Sequence, residues 1–332
     1  MKKILNQPSD YVTEMLEGLI AAHPGYYKRI GTDGRVVVRP DAPVPGKVGI
    51  VTGGGSGHLP VFTGYLGPGL LDACAIGEVF SSPGADAMAD AIRAVNGGAG
   101  VLRLYGNYGG DRMNFDMAGE LVEMEGIQTT SVLVADDVAS AGPEERHKRR
   151  GVAGLVLCYK IAGAKAATMA GLSEVTATAQ KAADRCRSIG VALTPCTVPC
   201  AGRPTFVIGE DEMEIGMGIH GEPGVRRGQL RTADEIVQEM LDLLLADLPL
   251  TSGDRVSVLS NSLGATPLEE LYISYRYVQR KLESMGVTIV APLVGRYATS
   301  MEMAGMSLTF CKLDGELESL LTAPCDCPFL RV

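Results

Sequence analysis

Apolar residues recur at helical spacing through Tyr11, Val12, Met15, Leu16, Leu19 and Ile20, which predicts an amphipathic helix over 9–22. Beyond it the pattern changes to short, nearly continuous apolar runs. Positions 36–39, 47–52, 100–105 and 130–135 read as strands, and two of them run directly into glycine clusters. Helical stretches fall over 85–95, closed by Gly97-Gly98, over about 114–124, and near 152–170 and 173–188. A second series starts near Val191, with strand-like stretches at 191–197 and 205–209. A helix over 232–248 follows, opened by a capping box of Thr232 and Glu235. Next come a strand at 255–260, a helix from Pro267 to about 284, strands at 287–291 and 307–312, and a short helix near 315–322. This alternation predicts an α/β fold made of two layered domains, each a mostly parallel or mixed sheet flanked by helices. The break is placed at residue 190, giving domains 1–190 and 191–332. No low-complexity linker separates them, so the two halves are expected to pack closely.

Composition narrows the function. The chain has 332 residues, enough for two domains of about 150 residues each. Its 39 acidic against 30 basic residues give a net charge of −9, a field that repels phosphate backbones and anionic membranes. Nucleic acid and membrane are therefore not expected as partners. No run of 18 apolar residues appears, and the opening MKKILNQPSDYVTEM has no apolar stretch behind its lysines, so a cytoplasmic location is expected. The eight cysteines read as reduced thiols. Cys196 with Cys200 and Cys325 with Cys327 lack C-x-x-C spacing and nearby histidines, so packing is expected rather than a metal site.

The 42 glycines are more informative, because many cluster at the ends of apolar runs. Three glycine loops could carry chemistry. The first is Gly53-Gly54-Gly55-Ser56-Gly57-His58, directly after a strand. It lacks the lysine of a phosphate loop and breaks the dinucleotide fingerprint at His58. It reads either as a backbone cradle for another ligand or as a tight turn with a solvated histidine. The second, Gly106-Asn107-Tyr108-Gly109-Gly110-Asp111, places Asp111 before a helix, as a cap or as a general base. The third, 216–224, bends around His220, which is either a surface-loop residue or a base, ligand or nucleophile. Of the other two histidines, His23 reads as a packing or surface residue and His147 as part of a solvated charge run.

Taken together, these loops resemble the substrate-binding subunits of dihydroxyacetone kinases. The resemblance runs through APVPGKV, GGGSGH, NYGGDRMNF, CTVPCAGRPTF, EMEIGMGIHGEPG, SGDRVSVL and LGATPLEELY, and so covers essentially the whole chain. It implies that His220 adds to the ketone carbon of a short ketose to give a hemiaminal. Asp111 is implied to take the proton of the terminal hydroxyl, and His58 to bond the substrate. Gly55, Ser56, Gly57 and Gly106 are implied to line the pocket. The resemblance also implies a homodimer and no cofactor bound by this chain. ADP or ATP with magnesium is expected on a nucleotide-binding partner subunit, served in one branch by a phosphotransferase-system protein. Two departures stand out: Leu59-Pro60 follows His58 where relatives carry Glu-Pro, and Gly106 stands where relatives carry a substrate-contacting lysine. The second suggests a roomier pocket that admits a four-carbon ketose such as erythrulose. A non-catalytic dihydroxyacetone sensor is the alternative class.

Overall fold

The computed structural model describes residues 2–332. Six strands form the first sheet: β1 (Lys28–Ile30), β2 (Val36–Val38), β3 (Gly49–Ser56), β4 (Ala73–Val79), β5 (Val101–Gly106) and β6 (Thr129–Val134). Their order is β1-β2-β4-β3-β5-β6, with β4, β3, β5 and β6 parallel and the β1–β2 edge antiparallel. The chain leaves β3 toward β4 on one side and then crosses through helix α2 (Ala85–Val95) to β5 on the other. Ligands in such sheets gather at this reversal, at the carboxyl ends of the strands.

Helix α1 (Tyr11–Ala22) matches its predicted span, and its Val12, Leu16 and Leu19 are buried. Helix α2 and helix α3 (Gly109–Glu123) cover one face of the first sheet. Helices α4 (Gly154–Ala167) and α5 (Leu172–Arg185) cover the other. Nearly every residue of α4 is buried, because α4 and α5 also pack against the second sheet and so lie between the two. A helix buried on all sides needs apolar or small residues all round, which GLVLCYKIAGAKAA supplies.

The second sheet contains β7 (Cys186–Ala192), β8 (Glu212–Ile215), β9 (Arg226–Gln229), β10 (Arg255–Ser262), β11 (Thr288–Ile289), β12 (Leu293–Gly295) and β13 (Gly305–Leu313). It is mixed: β10 pairs in parallel with β11 and β12, while β10, β13, β7, β8 and β9 run antiparallel in sequence. Helices α6 (Ala233–Asp247) and α7 (Leu268–Ser284) pack on its outer face. The capping box is present, with the Thr232 N–H donating to Glu235 at 3.0 Å. After helix α8 (Gly315–Leu321), a small hairpin of β14 (Asp326–Cys327) and β15 (Leu330–Arg331) returns to the first half, where the Asp326 N–H donates to the Pro68 carbonyl.

The α/β layering matches the sequence reading, with four local corrections. The strand expected at 191–197 is β7, which starts five residues earlier, so a break at 190 falls inside it and the sheets part at Arg185. Strand β4, mostly small residues around Ile76 and Val79, is not among the strands expected from the sequence. The 205–209 stretch joins no sheet, and α3 starts at Gly109 rather than near 114. Among the described residues, no helix is long and apolar enough to cross a membrane.

Candidate active site

The first glycine cluster is mostly strand. Gly53, Gly54 and Gly55 pair with Ala75, Ile76 and Gly77 of β4. The Phe115 ring lies where a Cβ of Gly53 would meet it, and the Phe62 ring fills that position at Gly54. Gly55 lies against the Phe80–Ser81 backbone, so it offers a ligand its main chain alone. The turn comes at Gly57, whose φ of +104° suits glycine, and a Cβ there would lie 2.7 Å from the Phe80 ring. That reversal swings His58 inward until it is 1% exposed, and the solvated-histidine reading is thereby corrected.

His58 is fixed in one tautomer. Its Nδ1 lies 2.7 Å from the Thr299 carbonyl, which can only accept, so Nδ1 carries the hydrogen. The Nε2 lone pair is buried and has no partner. Burial, reinforced by His220, pushes the imidazole pKa down to about 3 and keeps the ring neutral. The Phe80 ring stacks on it at 4.9 Å, from a backbone with φ of +60° that a bulky residue rarely adopts.

His220 comes from the loop after β8, carried by the second sheet. Its ring centroid is 4.8 Å from that of His58, 4.9 Å from Tyr108 and 5.2 Å from Phe80. The Nδ1–H donates to Glu222 Oε1 at 2.9 Å, which leaves the Nε2 lone pair free. Arg150, held by Asp137 at 2.8 Å, stands 3.8 Å behind the same carboxylate. The second half also clamps the first loop directly. The Met301 N–H donates to the Gly57 carbonyl at 2.8 Å, and the Thr299 hydroxyl to the Leu59 carbonyl at 3.1 Å.

Asp111 is the third residue of α3 and is buried. The N-cap position is Tyr108, which makes no side-chain cap bond, and Asp111 Oδ1 has no partner. The carboxyl is therefore not spent on capping, and it lies near enough to His220 to interact with its charge. Burial raises its pKa to about 6, against the opposing pull of Ser82 and His220. A carboxylate poised there is ionised at neutral pH yet basic enough to take a proton.

Ser56 Oγ and the Tyr108 hydroxyl are also buried without partners. With His58 Nε2 and Asp111 Oδ1, the first two loops thus leave four buried polar atoms unsatisfied, a costly arrangement unless a polar ligand completes it. Gly106 ends β5 and is less open than expected. A Cβ there would lie 3.3 Å from the Tyr108 ring and 3.4 Å from the Gly151 carbonyl, so the missing side chain leaves no void at its first carbon. Sequence reasoning missed Glu222, Tyr108, Phe80 and Thr299 as site residues. Glu222 alone carried a signal, a carboxylate two residues beyond a histidine in one bent loop. His147 is exposed, and His23 packs edge-on to Tyr27 and Phe329.

The Dak1 domain model matches residues 17–329. The chain is 44% identical to the dihydroxyacetone-binding subunit DhaK of PTS-dependent dihydroxyacetone kinase 2 from Listeria innocua, over all of both chains. It is 42% identical to the L-erythrulose kinase of Pectobacterium atrosepticum, covering all of this chain but 56% of that enzyme. Among solved structures, the dihydroxyacetone kinase of C. freundii in complex with AMP-PNP and Mg2+ superimposes with a TM-score of 0.89 at 36% identity. It covers 98% of this chain and 60% of that one. The dihydroxyacetone kinase operon co-activator Dha-DhaQ gives a TM-score of 0.87 at 34% identity, over 94% and 96% of the two chains.

Proposed function

The chain belongs to the Dak1 family, and on that premise we propose that it is the ketose-binding subunit of a dihydroxyacetone-type kinase. The observation that carries this reading is a histidine with a free Nε2 lone pair packed against His58 and Tyr108, each of which buries a polar atom that has no partner. A three- or four-carbon sugar has little surface to bury, so contacts alone give weak affinity. Covalent capture removes that limit. Nε2 of His220 bonds the ketone carbon, the carbonyl oxygen takes a proton from solvent water and becomes a hydroxyl, and the sugar is held as a hemiaminal. Glycerol has no carbonyl and is not captured. His58, neutral and with its lone pair inward, accepts from a sugar hydroxyl, and Ser56 adds a second hydrogen bond.

Capture also fixes the terminal hydroxyl for attack. Asp111 takes its proton as the oxygen bonds to the phosphorus, and the donor's leaving oxygen departs. The phosphoryl donor is a nucleotide on a partner, either ADP recharged by a phosphotransferase-system protein or ATP. The first fits the PTS-dependent relative, and both dihydroxyacetone and erythrulose suit relatives of similar identity.

Native intact-mass measurement with dihydroxyacetone, and separately with erythrulose, tests the reading. A one-to-one adduct is expected in the wild type and none in His220→Ala. A folded wild type that forms no adduct with either sugar would overturn it. The likeness to a co-activator supports a second reading, sugar binding without transfer. An adduct that is never phosphorylated when a nucleotide-carrying kinase subunit is supplied would favour that reading.

A further inference from the structure

Both oxygens of Glu222 are committed to one residue. Oε2 accepts the His220 main-chain N–H at 2.9 Å, and Oε1 accepts the ring Nδ1–H at 2.9 Å. Carboxylate and imidazole are thus locked as one unit. The surroundings are built to hold it. A Cβ at Gly218 would overlap the Glu222 carboxylate and the Arg150 guanidinium, so glycine is needed there. Arg150 is itself fixed by Asp137 and by the Gly216 carbonyl at 3.1 Å. His58, 4.8 Å away, has a neutral carbonyl where His220 has a charge.

Resting on the ketose-capture reading above, we propose that Glu222 is the positioning residue and counter-ion of the capture step. It holds His220 with Nδ1 protonated and pairs with the imidazolium that forms as Nε2 bonds the ketone carbon. The Nε2 lone pair becomes the new N–C bond, and the carbonyl π pair moves to oxygen. That oxygen takes one proton from solvent water, while the Nδ1 proton stays on the ring. The adduct is a cationic imidazolium beside an anionic carboxylate, so capture takes up one proton.

Glu222 acts as a counter-ion rather than a base because its carboxyl stays ionised. Burial would raise its pKa, but the bond and charge of His220, with Arg150 behind, hold it at about 2. The same division of labour holds in hydrolytic triads, where the acidic member orients and stabilises without taking the proton. The other ionisable groups facing this pair are His58, Tyr108, Asp111 and Arg150, with Asp136 and Asp137 behind.

The test is calorimetry of dihydroxyacetone binding at pH 7.5 in buffers of different ionisation enthalpy, with wild type and Glu222→Gln. Asp111 is ionised in both at that pH. Glutamine keeps an acceptor oxygen for Nδ1–H and removes the charge. Wild type should take up most of one proton per sugar captured. The variant should bind at least about tenfold more weakly, with its uptake falling toward zero. Glu222→Asp should recover part of both. Capture by wild type without proton uptake would overturn the proposal even if the variant fails to fold, as would unchanged affinity and uptake in a folded Glu222→Gln. A wild type that captures no sugar would instead overturn the functional reading beneath it.

Discussion

The two halves of the molecule supply the site in different ways. His58 and Asp111 come from the first sheet, where the ends of parallel strands and the start of a helix set their direction, and both are almost fully buried. His220 comes from an irregular loop of the second half, and its side chain keeps 24% of its exposure. Nothing regular holds it. Its orientation is set by Glu222, Arg150 and Asp137, a chain of side chains. The comparison teaches a division of tasks. The rigid, dry half suits groups that must be neutral or poised, whereas the polar, partly open half suits the nucleophile that His220 is proposed to be.

The sharpest way to separate the halves is Asp111→Asn. If the rigid half performs transfer and the second half performs capture, adduct formation should stay within about threefold while phosphorylation falls about 10²- to 10⁴-fold. The wild-type rate should rise with pH through about 6 and level off above it, since the base must be ionised. Stability should move the opposite way. A carboxyl raised from 3.8 to about 6 on folding makes the native state hold its proton more tightly. Wild-type stability from this group is thus fully present below pH 3.8 and is lost as pH rises through about 6. Asparagine avoids that loss, so at pH 8 the variant should be more stable to denaturant, by up to about 3 kcal/mol. A variant that turns over normally would break the assignment of tasks.

A smaller effect is expected at His58. His58→Ala removes one hydrogen-bond acceptor and exposes the Phe80 face, which should weaken capture about tenfold, near the worth of one buried hydrogen bond. The loss should be equal at pH 6 and pH 8, because this ring is neutral throughout. A loss that grows below pH 7 would mean that His58 gains a proton there, and the contrast between the two loops would collapse.

Much of this was legible in the sequence, and the gaps have physical causes. Apolar runs disclosed β3, β5 and β6, but Ala73–Val79 is built of small residues that become a strand through burial between neighbours rather than by their own preference. Cys186–Ala192 hid because Arg185 and Arg187 prolong the polar pattern of the helix before it. Gly109 and Gly110 disguised the start of α3, and with it the position of Asp111 in the first turn. His58, Asp111 and His220 stood out as chemistry-bearing side chains in glycine-rich loops. Which partner each would meet was not legible, since Thr299 lies 241 residues from His58 and Arg150 more than 70 from Glu222. Partner choice is tertiary, and here it decides which ring nitrogen of each histidine carries the hydrogen.

The smallest effect should come at Gly106, where the two halves meet through Tyr108. An alanine there needs no unusual backbone angle, and its Cβ would sit 3.3 Å from the Tyr108 ring, which must yield by a few tenths of an ångström. That ring lies edge-on to His220 at 4.9 Å, so the displacement passes to the nucleophile rather than into an open pocket. Gly106→Ala should therefore weaken capture of dihydroxyacetone and erythrulose together, by no more than about threefold, or roughly 0.7 kcal/mol. Affinities for the two sugars, measured side by side, check this. If alanine instead discriminates against erythrulose tenfold or more while sparing dihydroxyacetone, the missing side chain itself sets the size of the pocket. Specificity would then belong to the rigid half, and not to the adaptable loop that carries His220.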